Sequence, residues 1–433
     1  MGIGVRRAAC DHTDGVERLV VNPGDPLEGT VRIEGAKNSV LKLMAATLMA
    51  EGEFTLRNVP RIVDVEIMSD LLVSMGVDVH RTSDHELRIR VGAEIVPEAP
   101  YELVEQMRAS IVVLGPLLAR CGTARVALPG GDDFGPRPID MHQRGLEALG
   151  VDFTTAHGYV EARCDQLNGN RIVLEFPSVG ATENILMAAV RAKGTTLIDN
   201  AAREPEIADL AAFLNRMGAQ VIGAGSSTIE IEGVEELHPV EHTVVPDRIE
   251  AGTFLAAVGA AGGEITIEGA RADHMDMVVQ KLGDMGMRIS PSSEGVWAQR
   301  TRRLRSVDVA TLPYPGIATD YKPFFVALLA VADGVGIVSE NLFSGRFRYI
   351  DELARMGADI RTEGHHAVVR GRERLSGAPV RAPDIRAGAA LVVAALGAEG
   401  ETVVSDAHHI GRGYEDFAGK LRSLGADVRE SPR

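Results

Sequence analysis

Clusters of polar and charged residues stand where apolar, helix-like segments of this sequence begin. The clusters are Lys37-Asn38, Arg108-Ala-Ser110, Ser178-Val-Gly-Ala-Thr182, Asp247-Arg-Ile-Glu250, Asp320-Tyr-Lys322 and Asp384-Ile-Arg386. The N-terminus of a helix has unpaired N–H groups and a partial positive charge, which together can bind an anion. If several of these helix ends face one cleft, the ligand of that cleft should be anionic.

A single serine or aspartate in such a cluster is more often an ordinary helix cap than a binding residue. The lysines and arginines need another explanation, because a cation at a helix N-terminus opposes the helix dipole. We therefore give the cationic positions more weight than the capping ones.

Two glycine-containing loops could also bring charged side chains close to a ligand. Residues 129–138 contain Asp132, Asp133 and Arg137, and the glycines and prolines between them predict a turn or a mobile lid. Glycines on both sides of Arg412 would allow close approach of the backbone to a ligand. No His or Glu adjoins the two aspartates to complete a ligand set, so we expect no metal site.

The elements that must position these residues repeat six times. A Met-Gly or Leu-Gly pair recurs at spacings of 68 to 74 residues, and its glycines are Gly76, Gly150, Gly218, Gly286, Gly357 and Gly425. Each repeat predicts a buried helix that is apolar on nearly every side, a strand, an amphipathic helix ending at the glycine, and a further strand. A period near 70 is too long for a common solenoid, so we expect two groups of three α/β units. A generic multi-domain α/β chain with coincidental Met-Gly pairs is the alternative.

Composition excludes several classes of protein. The chain has 433 residues, 45 Lys and Arg against 61 Asp and Glu, a formal net charge of −16 and 4% aromatic residues. Nucleic-acid binding is not expected, since it needs a basic face and usually stacking aromatics. The three cysteines are far apart, which fits a reducing compartment, and no apolar stretch approaches the roughly 20 residues that span a bilayer. We expect a cytoplasmic protein without membrane contact, whose first 18 residues form a mobile tail; its oligomeric state stays open.

Taken together, these motifs resemble those of the enolpyruvyl transferases, in particular the branch that uses a UDP-sugar as acceptor. The matching segments extend over nearly the whole chain and are residues 27–38, 107–110, 178–184, 200–206, 246–252 and 412–415. The resemblance implies an α/β (α+β) fold of two inside-out domains, each with pseudo-threefold symmetry from three βαβαββ units, and an active site in the interdomain cleft. It also implies that residues 19–35 join residues 245–433 in one domain, while residues 36–244 form the other.

The resemblance further implies a 1-carboxyvinyl transfer without metal or organic cofactor. The enolpyruvyl group of phosphoenolpyruvate would move to the 3-hydroxyl of UDP-N-acetylglucosamine by addition and elimination, the first committed step of peptidoglycan precursor synthesis. Phosphoenolpyruvate carries a phosphate and a carboxylate, so the site needs several fixed cations. Lys37, Arg137 and Arg412 match the family's positions on the phosphate side, and Arg346 and Arg386 match those near the carboxylate.

Two carboxylates match the family's proton-transfer positions. Asp320, in the segment Pro315-Gly-Ile-Ala-Thr-Asp320, is the candidate base for the acceptor hydroxyl. Asp132 stands where the family usually has the loop cysteine that protonates the substrate methylene carbon. Negative charges on the ligand would raise the pKa of Asp132, so a carboxyl can serve as the acid. Because the cysteine is the thiol that fosfomycin alkylates, we expect insensitivity to this antibiotic. The expected catalytic residues are therefore Lys37, Asp132, Asp320 and Arg412.

The remaining matches concern substrate binding. They include sugar and diphosphate contacts, a uridine-binding segment that begins at Arg137, and a second diphosphate segment that begins at Ser178. The expected binding residues are Asn38, Arg108, Arg137, Pro138, Ile139, Asp140, Met141, His142, Ser178, Val179, Gly180, Leu342, Arg346, Asp384 and Arg386. Phe176 replaces a family lysine, which removes one expected diphosphate contact.

Other departures from the family pattern adjoin the reacting groups and leave the acceptor open. They are Ala318, Tyr321, Lys322, Ser344, Gly345 and Gly411. One alternative keeps the chemistry but uses another acceptor, such as a uridine nucleotide in antibiotic biosynthesis. A second alternative is a catalytically silent, UDP-sugar-binding paralogue, against which the retained acid, base and cations argue. Shikimate 3-phosphate is a weaker candidate, because the motifs follow the UDP-sugar branch.

Overall fold

A computed structural model of the chain describes residues 17–128, 139–343 and 346–431. The strands in these ranges are β1 (Arg18–Val21), β2 (Leu27–Arg32), β3 (Gly52–Arg57), β4 (Asp78–Ser83), β5 (Glu86–Val91), β6 (Glu98–Ala99), β7 (Thr123–Ala127), β8 (Asp152–Ala156), β9 (Tyr159–Arg163), β10 (Arg171–Val173), β11 (Thr195–Asp199), β12 (Gln220–Ile222), β13 (Thr228–Glu232), β14 (Glu241–Thr243), β15 (Gly263–Glu268), β16 (Arg288–Pro291), β17 (Gly295–Arg300), β18 (Val309–Ala310), β19 (Val335–Ser339), β20 (Asp359–Glu363), β21 (His366–Arg370), β22 (Pro379–Arg381), β23 (Thr402–Ser405) and β24 (Val428–Ser431).

The α-helices of the same ranges alternate with these strands. They are α1 (Lys37–Ala46), α2 (Val63–Ser74), α3 (Tyr101–Val104), α4 (Leu114–Cys121), α5 (Asp140–Glu147), α6 (Val179–Ala189), α7 (Pro205–Arg216), α8 (Arg248–Ala261), α9 (Asp276–Asp284), α10 (Lys322–Leu329), α11 (Ile350–Arg355), α12 (Ile385–Leu396), α13 (His408–Gly411) and α14 (Phe417–Ser423). Short 3₁₀ helices cover Thr47–Met49, Arg108–Val113, Ala272–His274 and Thr319–Tyr321. In the described part of the chain, no helix is both long and apolar enough to cross a membrane.

Six four-stranded sheets of one common pattern organise the described residues. In every sheet, one outer strand runs parallel to its neighbour and the other pairings are antiparallel. The sheet orders are β14-β3-β5-β4, β6-β7-β9-β8, β10-β11-β13-β12, β16-β17-β15-β2, β18-β19-β21-β20 and β22-β23-β1-β24. This pattern is what six βαβαββ units produce, and it confirms the predicted repeat.

The chain crosses between the two groups of sheets. Strand β14 pairs with β3 early in the sequence, whereas β2 pairs with β15, so the two segments exchange places. The N-terminal strand β1 inserts between β23 and β24. The crossing segments are tied together by Ala36 N–H donating to the Val245 carbonyl at 2.7 Å and Asp247 N–H donating to the Glu34 carbonyl at 2.8 Å.

Buried apolar side chains fall into two clusters. One is built from residues 40–244, and the other combines residues 19–33 with residues 249–428. Helix α12 is buried along its whole length, whereas only Val278 and Leu282 of the amphipathic helix α9 are buried. Burial of the apolar helices stabilises the fold, and in strands such as β13, where buried and exposed residues alternate, one face is directed toward solvent. We propose domain boundaries that follow these clusters, with residues 36–244 in one domain and residues 19–35 and 245–433 in the other.

The glycines that marked the repeats have the conformation their position requires. All six, from Gly76 to Gly425, have positive φ angles between 88° and 110°. Residues with a Cβ rarely adopt this conformation, which ends the amphipathic helix of each unit. In all six units, a glycine with positive φ therefore separates the amphipathic helix from the strand that follows it.

Candidate active site

A cleft of about 600 Å³ lies between the two apolar clusters and is lined from both sides. The expected site residues that line it are Lys37, Asn38, Arg108, Met141, His142, Ser178, Val179, Gly180, Asp320, Leu342, Arg346, Arg386 and Arg412. Three other expected residues, Asp132, Arg137 and Pro138, lie outside the described residues. The cleft thus collects most of the expected residues into one place.

Ile139 and Asp140 do not line this cleft. Ile139 packs against the apolar cluster, and the Asp140 carboxylate lies 3.9 Å from Arg144. The next two residues along the chain, Met141 and His142, do line the cleft. The edge of the cleft lining therefore falls between Asp140 and Met141.

One end of the cleft holds two cations around a single buried carboxylate. Lys37 Nζ lies 2.7 Å from Asp64 Oδ2, and Arg412 Nε lies 2.9 Å from Asp64 Oδ1. Lys37 is the first residue of α1, and its backbone N–H donates to Asp247 Oδ2 at 3.2 Å. The cation that opposes the helix dipole is thus balanced by two aspartates. We define Lys37, Asp64 and Arg412 as the cation corner.

Burial has the largest effect on the pKa of the Lys37 ammonium group in the cation corner. Burial lowers the pKa of Lys37, Asp64 opposes that change, and Arg386 and Arg412 lower the pKa further. A buried cation among other cations is stabilised by any anion that enters. The electrostatics of this corner therefore favour a ligand with a negative charge.

A second group of charges surrounds the 3₁₀ helix at Thr319–Tyr321. Asp320 Oδ1 accepts a hydrogen bond from Arg386 Nε at 3.2 Å, and Arg346 Nη1 donates to Thr319 Oγ1 at 3.0 Å. Burial alone would raise the pKa of Asp320, but Arg386 and Arg346, with Arg248, outweigh burial and lower it. Asp320 is therefore ionised at neutral pH and can accept a proton or a hydrogen bond from a hydroxyl in the cleft.

Another ion pair joins the two sides of the cleft. Arg248, at the first position of α8, pairs through Nε and Nη2 with the two carboxylate oxygens of Glu206 at 3.0 and 3.3 Å. Both side chains are buried, and the Tyr321 hydroxyl donates to the Arg248 carbonyl at 2.8 Å. This bidentate pair links α7 to α8 directly beside Asp320.

Another part of the cleft lining surrounds His142. Asn184 Nδ2 donates to His142 Nδ1 at 2.9 Å, so the imidazole hydrogen belongs on Nε2. Burial, together with the charge of Arg108, lowers the pKa of His142 to about 4. Ser178 caps α6 by accepting from the Ala181 N–H at 3.4 Å. A neutral imidazole donor and a helix N-terminus therefore adjoin Arg108 here.

Asp384 lies beside the cleft, in a smaller cavity of about 80 Å³ that also includes Asp320, Arg346 and Arg386. Its carboxylate caps α12 by accepting from the N–H groups of Arg386 and Ala387, each at 2.8 Å. Asp384 thus fixes the start of the helix that carries Arg386. In the described ranges, no group of three or more His, Cys, Asp or Glu side chains is arranged to hold a metal ion.

Sequence reasoning missed six charged residues of the cleft. Lys42, Asp64, Glu183, Glu204 and Glu206 were not singled out, and Arg248 was noted only as part of a helix start. Burial raises the pKa of Glu183 to about 7, although Lys42 Nζ lies 3.4 Å from its carboxylate. Asp64 gave no sequence signal, because an acidic residue in the first turn of a helix is common. Glu183, Glu204, Glu206 and Arg248 lie in the segments 178–184, 200–206 and 246–252 that resemble the family, which was the only available signal.

Comparison with known proteins gives consistent results. Residues 21–421 match the family described as EPSP synthase (3-phosphoshikimate 1-carboxyvinyltransferase). The chain is 49% identical over 411 residues to UDP-N-acetylglucosamine 1-carboxyvinyltransferase 1 of Caldanaerobacter subterraneus subsp. tengcongensis, covering 95% of this chain and 99% of the relative. It is 52% identical over 412 residues to UDP-N-acetylglucosamine 1-carboxyvinyltransferase of Mycobacterium tuberculosis, covering 95% and 98%.

A solved structure shares the whole architecture. The enolpyruvyl transferase NikO from Streptomyces tendae has a TM-score of 0.87 and 28% sequence identity, with 97% of this chain and 100% of that chain covered. The predicted fold class, two inside-out α/β domains built from three units each, is confirmed by this similarity and by the six sheets.

Proposed function

Because this chain belongs to the enolpyruvyl transferase family, we propose that it transfers the enolpyruvyl group of phosphoenolpyruvate to the 3-hydroxyl of UDP-N-acetylglucosamine, with release of phosphate. The chain is an enzyme of the carboxyvinyl transferase class. The observation that carries the proposal is the cleft itself. Its lining includes the cations Lys37, Arg346, Arg386 and Arg412 together with the carboxylate of Asp320.

Relatives that share about half of their residues with the chain support the choice of acceptor. The two compared above, which cover 95% of this chain, are named for UDP-N-acetylglucosamine. The cleft volume of about 600 Å³ is within the range of small-molecule sites and accommodates much of a nucleotide sugar. Arg108 and the α6 N-terminus at Ser178 are the groups we assign to the diphosphate.

The proposed reaction has two steps. In the addition, the acceptor oxygen bonds to C2 of phosphoenolpyruvate, Asp320 takes the hydroxyl proton, and C3 gains a proton. In the elimination, the bond between C2 and the phosphate oxygen breaks, and a proton leaves C3. The products are the enolpyruvyl ether and inorganic phosphate. Lys37 and Arg412 would stabilise the leaving phosphate, and Arg346 and Arg386 would hold the carboxylate.

The acid that protonates C3 is assigned to Asp132, on the sequence resemblance alone. A carboxyl at this position has no thiol for an epoxide to alkylate, so the proposal includes insensitivity to fosfomycin. We also propose that the protein is cytoplasmic and that it acts at the start of peptidoglycan precursor synthesis.

The experiment is phosphate release from phosphoenolpyruvate with three acceptors offered separately and in competition. We expect release with UDP-N-acetylglucosamine and none with shikimate 3-phosphate. Release with UMP alone would replace the proposed acceptor by a uridine nucleotide and keep the chemistry. Absence of release with all three acceptors, in a protein that still binds UDP-N-acetylglucosamine, would identify a non-catalytic binding protein. The variant Asp132→Asn should abolish release while leaving UDP-sugar binding intact.

A further inference from the structure

Lys322, the first residue of α10, is one of the most deeply buried charged groups in the described chain. Its side chain is 1% exposed, and its Nζ lies 2.9 Å from Glu340 Oε2, a side chain that is also 1% exposed. The ammonium group lies 4.1 Å from the centre of the Phe347 ring. Burying two charges is costly, and a well-packed apolar pair in their place is often as stable or more so. Stability alone therefore does not account for a lysine and a glutamate here.

Glu340 receives an unusually complete set of donors. Its Oε1 accepts from the Thr311 hydroxyl at 2.7 Å and from the N–H groups of Leu342 and Phe343 at 2.9 and 3.2 Å. Its Oε2 accepts from the Thr319 hydroxyl at 2.7 Å. Burial would raise the pKa of Glu340, but Lys322 and these hydroxyl groups lower it instead. The carboxylate is therefore a fixed, charged anchor for the segment that carries Leu342.

Four residues close a ring of hydrogen bonds through this anchor. Lys322 Nζ donates to the Arg346 carbonyl at 2.5 Å, and Arg346 Nη1 donates to Thr319 Oγ1 at 3.0 Å. Thr319 donates in turn to Glu340, which is paired with Lys322. The backbone of Arg346 is thus held by Lys322 and its guanidinium by Thr319, two residues after and one residue before Asp320.

One side of the ring borders a small cavity, although Lys322 and Glu340 themselves are buried. Thr319, Lys322 and Arg346 line the cavity of about 80 Å³ that also contains Asp320 and Arg386. A small shift of Arg346 relative to Asp320 would therefore alter the shape of a ligand site without opening the apolar core. Misplacement of about 1 Å at a reacting centre can reduce a rate by roughly two orders of magnitude.

We propose that the Lys322–Glu340 pair is a positioning device that sets the distance between the Arg346 guanidinium and the Asp320 carboxylate, and thereby holds the carboxylate of phosphoenolpyruvate so that its C2 faces the acceptor hydroxyl. The identity of this substrate rests on the proposed function. Neither residue touches the reacting atoms in this account. Lys322 and Glu340 act through Arg346 and Thr319.

The test compares Lys322→Met and Glu340→Gln with the control Lys420→Met. Lys420 Nζ pairs with Glu250 Oε1 at 2.8 Å within the same apolar cluster, and it lines neither cavity, so its loss is a matched structural perturbation. We expect each of the two test variants to raise KM for phosphoenolpyruvate about tenfold and to leave KM for UDP-N-acetylglucosamine within about twofold. Lys420→Met should lower Tm and change neither KM.

Equal changes in both KM values, or test variants that behave like Lys420→Met, would overturn the inference. Glu340→Gln keeps the volume of the side chain, so its two KM values still test the inference if Lys322→Met does not fold.

The wild-type protein is assayed first, which separates the two proposals. If it releases no phosphate, the proposed function fails. The positioning role is then read from titration calorimetry with phosphoenolpyruvate, where tenfold weaker binding by the variant supports it. Equal binding, or no binding by either protein, contradicts it.

Discussion

Arg412 and Asp64 are 348 residues apart in the sequence, yet Arg412 Nε donates to Asp64 Oδ1 at 2.9 Å. The other oxygen of the same carboxylate lies 2.7 Å from Lys37 Nζ. One buried aspartate thus balances two cations that come from different parts of the chain. A phosphate group entering this corner would take over part of that role, since it offers the same cations several oxygen acceptors.

The variant Asp64→Asn should be less stable than the wild type and more responsive to inorganic phosphate. Removing the partner of a buried charge costs about 3–5 kcal/mol, because the remaining cations are left unbalanced. Bound phosphate restores the balance, and a ligand that binds only the folded state stabilises it. The measurement is Tm with and without phosphate, and we expect the larger phosphate-dependent rise in the variant.

A suitable control for this experiment is Asp84→Asn. Asp84 is mostly exposed and lies 3.4 Å from Arg61, so the change should cost no more than about 1 kcal/mol. It should leave the response to phosphate as in the wild type. An equal phosphate response in Asp64→Asn and the wild type would show that the cation corner is not a phosphate site.

The variant Asp320→Asn should lose turnover by a factor of about 10² to 10⁴, the usual contribution of a positioned acid or base. Arg386 and Arg346 outweigh burial and lower the pKa of Asp320, so the carboxylate stays ionised as the pH falls from 8 to 5. Steady-state kinetics should therefore show no loss of kcat through this group in that range. Binding of UDP-N-acetylglucosamine should be retained. If Asp320→Asn turned over at close to the wild-type rate, Asp320 would not be the base.

His142 should remain neutral, with its hydrogen on Nε2, down to about pH 5. Burial lowers the pKa of His142 to about 4, below its ordinary value of about 6.5. Between these values the unfolded chain binds a proton that the folded protein does not. Stability from this group is therefore complete above pH 6.5 and decreases as the pH falls toward 4, by up to about 3 kcal/mol.

The measurement for His142 is ¹⁵N NMR of the imidazole, with His142→Gln to assign the signal. Asn184→Asp should raise the pKa of His142, because a carboxylate beside the ring favours the charged form. A midpoint near 6.5 in the wild type would contradict the lowered pKa of His142, and a hydrogen on Nδ1 would contradict the hydrogen bond donated by Asn184.

Fosfomycin should form no covalent adduct with the wild-type protein, and Asp132→Cys should acquire one at the new thiol. Of the three cysteines, Cys10 lies outside the described residues, whereas Cys121 and Cys164 are partly buried, and burial raises the pKa of both, so these two form little reactive thiolate. Intact-mass spectrometry followed by peptide mapping distinguishes these positions. An adduct on the wild-type protein would refute the predicted insensitivity, and an unmodified Asp132→Cys would argue against residue 132 as the position of the acid.

Much of the fold could be predicted from local patterns. Six glycines at near-constant spacing and six apolar helix segments indicate the repeat, because each pattern reflects the burial and termination of one helix. The exchange of β2 and β14 could not be derived this way. Strand β14 has only three residues, too few to show the alternation of apolar and polar residues that identifies a strand. Only the family resemblance therefore implied the crossing.

The site was predicted in part for a similar reason. Lys37, Asp320 and Arg386 were noted because they stand at the starts of buried helices. A charged side chain is unfavourable there unless it has a partner or a ligand. Asp64 and Glu206 were missed because their partners, Arg412 and Arg248, come from the other group of sheets. Ion pairs between distant segments leave no periodic signal in a sequence. The donors that surround Glu340 likewise come from separate segments of the chain, so they could not be predicted from the sequence.

The most direct test of the central claim is ¹³C NMR of the product formed from phosphoenolpyruvate labelled at C2 and C3, with UDP-N-acetylglucosamine as acceptor. We predict that the label appears as a vinyl ether whose C2 is bonded to the sugar O3, with one inorganic phosphate released for each product. Unchanged phosphoenolpyruvate in the presence of UDP-N-acetylglucosamine, or attachment of the label to another oxygen, would contradict the account.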